Sequence, residues 1–197
     1  MLIKILITTF VLFVSSSVLS EDISDFQIEG ISIGDSALDY FNKSEIINNL
    51  LYDNIYTSDT YSTFELYKHK SLKKYDAISI SFKKGDTLFA IQSVSGIIFY
   101  KSNIDNCYKD FEKVSDDLSL TFKHINKVSS DKNHAADPTG ESKSKGAYFW
   151  LDSGALASVE CYDWSDKLTE SNGWTDNLNV YLSSKEFADW LQNEAYK

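Results

Sequence analysis

The spacing of apolar residues along the chain predicts two successive halves, the first with the order ααβββ. Alternation at Ile28–Ile33 predicts a short strand or an extended arm, and apolar residues at helical spacing predict two short helices within 36–52. Alternation with period two then predicts three antiparallel strands, at 63–67, 77–82 and 87–100. We expect a hairpin turn at 83–86 and a bend of the third strand at Gly96.

The second half is predicted to have the order αβββα. Asn103 is a candidate N-cap for a helix whose apolar residues step by three or four: Ile104, Cys107, Phe111, Val114, Leu118 and Phe122. The polar stretch 126–146 is predicted to be an exposed loop. Three strands are predicted at 147–151, 155–162 and 177–182, with a long loop over 163–176 between the last two. Ser183 and Glu186 form a capping-box pattern that predicts a final helix.

Runs of strands flanked by helices are typical of the α+β class. We therefore expect antiparallel sheet with the helices packed on one face. The two halves, 26–100 and 101–197, are interpreted as loose structural duplicates within a single domain over 21–197.

The first twenty residues have the pattern of a secretory signal peptide. A single cation, Lys4, precedes a mostly apolar run from Ile5 to Val14, and Val18 and Ser20 fit the small-residue rule for cleavage before Glu21. The apolar run is shorter than the ~20 residues that span a bilayer, and no cysteine near the cut offers a lipid anchor. We expect a periplasmic or secreted protein without a stable membrane anchor.

Charge excludes several classes of partner. The chain carries a formal net charge of −10 and contains no arginine. Such a protein repels phosphate backbones, so nucleic acid and anionic membrane surfaces are not expected partners. The absence of arginine also argues against a site built to hold carboxylates or phosphates by paired hydrogen bonds.

The two cysteines, Cys107 and Cys161, are predicted to form a disulfide. An even number of cysteines in an exported protein favours pairing, because the compartment is oxidising. The alternative is two separate buried thiols.

No pattern of residues identifies a catalytic, cofactor or metal site. His134 lies near Asp131 and Asp137, but on a polar loop that favours a solvated surface over a metal centre. The acidic residues of 163–176 could suit Ca²⁺, although their spacing does not match an EF-hand loop; they are Asp163, Asp166, Glu170 and Asp176. The chain lacks the nucleophile-elbow, phosphate-loop and dinucleotide motifs.

Trp164 and Trp174 flank the 163–176 loop and are the candidate interaction surface. Tryptophan is enriched among the residues that anchor interfaces, and loops held by a rigid scaffold carry many binding sites. The alternative is that both side chains fold under the loop and fasten it.

A block at 26–41, FQIEGISIGDSALDYF, resembles the opening of small exported proteins of streamlined marine alphaproteobacteria, as do 91–100, Cys107-Tyr108 and 161–164. More distantly, the pattern resembles the outer-membrane-assembly lipoprotein and β-lactamase-inhibitor-protein folds. These are binding modules, and the resemblance implies binding without catalysis.

We therefore expect an exported, periplasmic, non-catalytic binding or protein-interaction module. Its partner would be another envelope protein or a small ligand, and no cofactor is expected. The alternative is an exported hydrolase that uses acidic residues near the 163–176 loop. Carboxyl groups with mutually perturbed pKa values would favour the enzyme, and a shallow aromatic surface would favour the binding module.

Overall fold

In the computed structural model, residues 22–51, 56–101 and 103–197 are described, and they form one antiparallel sheet with α-helices. The strands are β1 Tyr61–Tyr67, β2 Ala77–Lys83, β3 Ile91–Phe99, β4 Lys127–Asn133, β5 Lys143–Trp150, β6 Leu156–Asp163 and β7 Asn177–Ser183. The α-helices are α1 Lys43–Asn48, α2 Ile104–Thr121, α3 Asp166–Asn172 and α4 Lys185–Asn193. The predicted α+β class is confirmed.

The sheet has seven strands in the order β1-β2-β3-β7-β6-β5-β4, and every neighbouring pair is antiparallel. Strands β1 to β3 form one meander and β4 to β7 form a second. The last strands of the two meanders, β3 and β7, lie side by side. As a result, the strand nearest the C-terminus occupies the centre of the sheet.

The order of elements differs from the predicted order in the second half. The stretch 126–146 is not a loop throughout, because Lys127–Asn133 forms the edge strand β4 and β5 begins at Lys143. The predicted loop 163–176 contains helix α3, which is followed by a C-cap residue, Gly173, in the left-handed conformation. In the first half, the first of the two predicted helices is a single 3-10 turn at Ala37–Asp39.

Capping residues and glycines in the sequence predicted the ends of several helices and strands, and some of these ends lie a residue or more from the predicted position. Asn42 and Glu45 form a complete capping box at the start of α1. The final helix is capped by Ser184 and not by Ser183, since the Ser184 hydroxyl accepts the N–H of Phe187. β3 begins at Ile91 and continues through Gly96, where the ring of Tyr75 lies so close that a Cβ would approach it to 2.6 Å. Gly96 therefore permits a close contact, where the sequence predicted a bend.

One face of the sheet carries the main hydrophobic core. Helix α2 packs over β6 and β7 on this face, and the segment that contains α1 covers β1 to β3. The strand residues at its centre are fully buried and include Phe64, Ile80, Val94, Val159 and Leu178.

Helix α4 packs on the opposite face, so the helices do not share one side as predicted. Its Phe187 and Trp190 contact Tyr61, with ring centroids 4.9 and 4.7 Å away. Tyr61 points away from the main core, because it alternates along β1 with Ser62 and Phe64. This second, smaller core closes one end of the opposite face.

The disulfide joins helix to sheet. Cys107 on the buried side of α2 is bonded to Cys161 in β6, with Cα atoms 6.1 Å apart. Both residues are fully buried. The Cα separation lies within the usual range for disulfides. The bonded pair is the one predicted from the sequence.

The predicted signal peptide, 1–20, lies outside the described residues. Among those that are described, none of the helices combines the length and apolar character needed to cross a bilayer.

Candidate functional site: a polar sheet face beside an aromatic cluster

The sheet face opposite α2 presents hydrogen-bonding side chains on three adjacent strands. We call this surface, which also includes Gly146 of β5, the polar face, and its side chains are Ser144 and Tyr148 in β5, Ser158, Glu160 and Tyr162 in β6, and Asn179, Tyr181 and Ser183 in β7. They share a side because alternate residues of a strand point the same way and directly paired residues lie on one face. In this set Glu160 is paired with both Gly146 and Asn179.

Glu160 is the acidic centre of the polar face. The Tyr148 hydroxyl donates a hydrogen bond of 2.8 Å to its Oε2, and the Tyr162 hydroxyl lies close enough to act on the carboxyl group. Burial raises the pKa of Glu160, opposed by these two tyrosines and by the charge of Lys132. None of the ion pairs between described residues includes Glu160.

The ring of Tyr148 reaches Glu160 because position 146 is glycine. A Cβ at Gly146 would lie 2.6 Å from the Tyr148 hydroxyl oxygen, closer than two such atoms can approach. The glycine therefore lets the ring lie along its own strand.

Three polar atoms of β7 are buried without a hydrogen-bond partner among the described residues: Asn179 Oδ1, the Tyr181 hydroxyl and Ser183 Oγ. They belong to successive residues of the polar face. The Tyr181 hydroxyl lies near Ser183 and Ser93 without reaching hydrogen-bond geometry. Buried polar groups in folded proteins are nearly always paired, so this row carries hydrogen-bonding capacity that the described chain does not use.

An aromatic cluster adjoins the polar face at the ends of β4 and β6. We define it as His134, Tyr162, Trp164 and Trp174. The ring of Trp164 lies 4.5 Å from those of His134 and Trp174 and stacks on Tyr162 at 5.7 Å, centroid to centroid. Tyr162 belongs to both groups and connects Glu160 to the tryptophans.

The structure brings Trp164 and Trp174 together and leaves both partly exposed. Asp176 accepts the backbone N–H of Trp164 at 2.8 Å, which fixes the two ends of the 163–176 segment to each other. The two rings therefore fasten this segment, and their exposed parts form a surface. Whether that surface binds a partner stays a prediction.

The acidic residues of 163–176 do not converge on a metal site. Asp163 points to the α2 side, where the Tyr108 hydroxyl donates to it at 3.0 Å. Burial and then the charges of Asp163 and Asp166 raise the pKa of Asp176, while its bond to Trp164 lowers it. Among the described residues, no group of three or more His, Cys, Asp or Glu side chains is placed to hold a metal ion.

His134 and Asp137 lie in the same β4–β5 connection, where the backbone N–H of Asp137 donates a hydrogen bond of 3.0 Å to the carbonyl oxygen of His134, but their side chains have different partners. Asp137 is buried in the β4–β5 connection and accepts hydrogen bonds from the backbone and hydroxyl groups of Thr139 and Ser142. These hydrogen bonds hold the pKa of Asp137 well below the usual range, and the two from the Ser142 and Thr139 hydroxyls have the largest effect. Burial beside Trp164 lowers the pKa of His134, and the charge of Lys132 adds to this effect.

The residues of the polar face were not singled out by sequence reasoning. Alternation in β6 and β7 placed Glu160 and Asn179 opposite the apolar residues of their strands, and this signal was available. It could not show that the two residues are paired, since pairing depends on the order of strands in the sheet. Tyr148 was assigned to a strand without any role.

Comparisons with protein-family models, with curated proteins and with solved structures gave no match for this chain.

Proposed function

We propose that this chain is an exported, periplasmic, non-catalytic binding module, and that its partner or ligand binds at the polar face and the aromatic cluster. The observation that carries the proposal is the row of unpaired polar atoms at Asn179, Tyr181 and Ser183. A buried polar group without a partner destabilises the folded protein. A bound molecule that supplies the missing hydrogen bonds removes this cost, and this favours binding.

The surroundings of this row suit binding. Partly exposed aromatic rings lie at one end of the polar face, and the core around α4 lies at the other. Along β7, from Asn179 to Ser183, the face extends over about 14 Å at ~3.4 Å per residue, enough for a small ligand or a segment of a partner protein. Aromatic side chains beside a few placed polar groups are the usual lining of binding sites.

Export and location are proposed from the sequence. The signal-peptide pattern over 1–20 supports cleavage before Glu21, and the buried disulfide suits an oxidising compartment. The partner would be another envelope protein or a small ligand, and not a nucleic acid, because the chain is strongly acidic. We also propose that the halves are loose duplicates, since each pairs a helix-containing segment with an antiparallel meander.

A second candidate, an exported hydrolase acting through the 163–176 segment, is favoured by one observation. The raised pKa of Asp176, near Asp163 and Asp166, is the kind of perturbation that a proton donor needs. Against it, Asp163 and Asp176 already accept structural hydrogen bonds from Tyr108 and Trp164. We therefore rank binding first.

The test compares capture by matched variants. The mature chain, Trp174→Ala and Leu120→Ala would be immobilised in turn and exposed to periplasmic extract and to its small-molecule fraction. Leu120 is a suitable control because it is 66% exposed on α2, on the other side of the sheet. Loss of a captured species with Trp174→Ala alone, at unchanged thermal stability, supports the proposal. Equal capture by all three contradicts it, and hydrolysis abolished by Asp176→Asn would favour the enzyme.

A further inference from the structure

A cleft opens over the middle of the sheet, on the side away from the polar face. Helix α2 covers β6 and β7, and the segment that contains α1 covers β1 to β3, so the two coverings meet above β3 and β7. The cleft has a volume of about 170 Å³ and lies along this line. Places where two units of a structure meet are common positions for small-molecule sites.

The floor of the cleft is apolar and firmly held. Ile98 and Leu178, which are directly paired across β3 and β7, form it together with Val180. Leu178 is also directly paired with Cys161, which the disulfide joins to Cys107 in the first turn of α2. The helix beside the cleft and the strands beneath it are therefore covalently connected, so the space between them is pre-formed.

Two side chains line the cleft from opposite sides. Val114 projects from α2, and Tyr75 comes from the β1–β2 connection. A Cβ at Gly96 would approach the Tyr75 ring to 2.6 Å, so the glycine lets this ring settle against the sheet. Val114 and Ile98 are partly exposed, whereas Tyr75 is buried. The apolar interior is thus open to solvent on the side of Val114 and Ile98.

The remaining lining residues of the cleft carry charges of both signs. Lys74 adjoins Tyr75, and Asp110, Lys113 and Asp117 follow one another on α2 at steps of three and four, which place them on one face of the helix. None of the ion pairs between described residues includes Lys113 or Asp117. Two ammonium groups and two carboxylates therefore surround an apolar interior.

We propose that this cleft binds a free α-amino acid whose side chain is apolar and about the size of a benzene ring. The site is a second one, separate from that of the proposed function. An apolar cavity of about 150 Å³ holds benzene, so the cleft has room for one such side chain. The carboxylate of the amino acid would face the lysines and its ammonium group the aspartates.

The mixture of charges selects a zwitterion over a simple ion. An apolar cation would match Asp110 and Asp117 but would be repelled by Lys74 and Lys113, and an apolar anion would meet the opposite problem. Lysine holds a carboxylate as a point charge and not as the paired fork of arginine. We therefore expect the side chain to supply most of the affinity and the charges to supply the selectivity.

The test is calorimetric titration of the mature, disulfide-bonded chain with L-phenylalanine. Three matched probes each lack one part of it: N-acetylphenylalanine lacks the ammonium group, phenylalaninamide lacks the carboxylate, and glycine lacks the ring. We expect each probe to bind at least about fivefold more weakly than phenylalanine. The first two probes also represent the C-terminal and N-terminal residues of a peptide, so equal or tighter binding of either would contradict a site for a free amino acid.

Charge variants on the surface of α2 show whether the two ends of the ligand are recognised separately. Lys113→Gln should weaken phenylalanine and N-acetylphenylalanine by about threefold or more, and should not weaken phenylalaninamide. Asp117→Asn should weaken phenylalanine and phenylalaninamide, and should not weaken N-acetylphenylalanine. Asp116→Asn removes the same charge from an exposed position of α2 outside the cleft and should leave all affinities unchanged.

Methyl NMR locates the bound amino acid. Phenylalanine should shift the methyl signals of Ile98 and Val114 and leave those of Val128, which is exposed on β4, in place. Equal weakening by Asp116→Asn and Asp117→Asn, shifts that avoid Ile98 and Val114, or no binding of phenylalanine would each overturn the inference. The proposed function at the polar face does not depend on these outcomes.

Discussion

The ring of Tyr148 lies across Gly146, two residues earlier in the same strand, and its hydroxyl bonds to Glu160 on the next strand. A residue without a side chain thus sets the hydrogen bonding, and hence the pKa, of a carboxyl group on a neighbouring strand.

Replacement of Gly146 by alanine should push the Tyr148 hydroxyl away from Glu160. Because this hydrogen bond lowers the pKa of Glu160, its loss should raise that pKa further above the ordinary glutamate value. The measurement is a carbon-13 NMR titration of the Glu160 carboxyl group. Tyr148→Phe, which leaves the backbone alone, should give a shift in the same direction. A pKa of Glu160 that is unchanged in both variants would refute this relationship.

Removal of the disulfide should destabilise the protein by about 4 kcal/mol on the chain-entropy account, because it closes a loop with a sequence separation of 54. Urea unfolding of the oxidised chain and of the Cys107→Ala/Cys161→Ala double variant measures the difference. The double variant is preferable to a single one, which would leave a free thiol. Equal midpoints with equal slopes would show that the bridge adds nothing to stability.

Asp137 should make stability depend on pH at the acid end. Its pKa is depressed in the folded state by the Ser142 and Thr139 hydroxyls, whereas an unfolded aspartate titrates near ~3.9. Its contribution is therefore complete above about pH 4 and disappears as pH falls toward the lower folded pKa.

Asp137→Asn should melt at a lower temperature than the wild type at pH 7, since an amide cannot accept all four hydrogen bonds. The difference in melting temperature between the two proteins should narrow as the pH drops below about 4, where the unfolded aspartate becomes protonated. Thermal melts of both proteins between pH 2 and 7 test this. A gap that stays constant across the whole range would mean that the carboxylate charge plays no part.

Export should produce a mature chain that begins at or near Glu21, because Val18 and Ser20 fit the cleavage rule. N-terminal sequencing of the protein from the cell envelope checks the site. A Val18→Arg variant should retain the unprocessed chain, whereas Val11→Leu, which preserves the apolar run, should be processed normally. Recovery of intact chain from the cytoplasm alone would rule out export.

Elements with a strong apolar period were predictable from the sequence, and those without one were not. Helix α2 and strand β2 were placed within a few residues, since Phe111 and Ile80 repeat with their neighbours at the spacing of a buried face. Strand β4 was missed because an edge strand held by backbone bonds to β5 needs no apolar residues, and Val128 is 53% exposed.

The candidate site was predictable in its aromatic part alone. Trp164 and Trp174 stand out by residue type, and they do meet. The pairing of Glu160 with Asn179 depends on β6 and β7 being neighbours in a given register, which is a property of the whole sheet. Asp137 was considered as a metal ligand, and the structure uses it to organise a connection between two strands.

The central position of β7 has a consequence for how the chain matures. Strands β3 and β6 have no direct ladder in the sheet and are joined through β7, which begins only at Asn177. A polypeptide emerging from a ribosome or a translocation pore would hold two separate, half-formed meanders until the residues from Asn177 onward appeared. The sheet is then completed in one late step, when β7 inserts between the exposed edges of β3 and β6. A chain that stops before Asn177 should be a substrate for proteases.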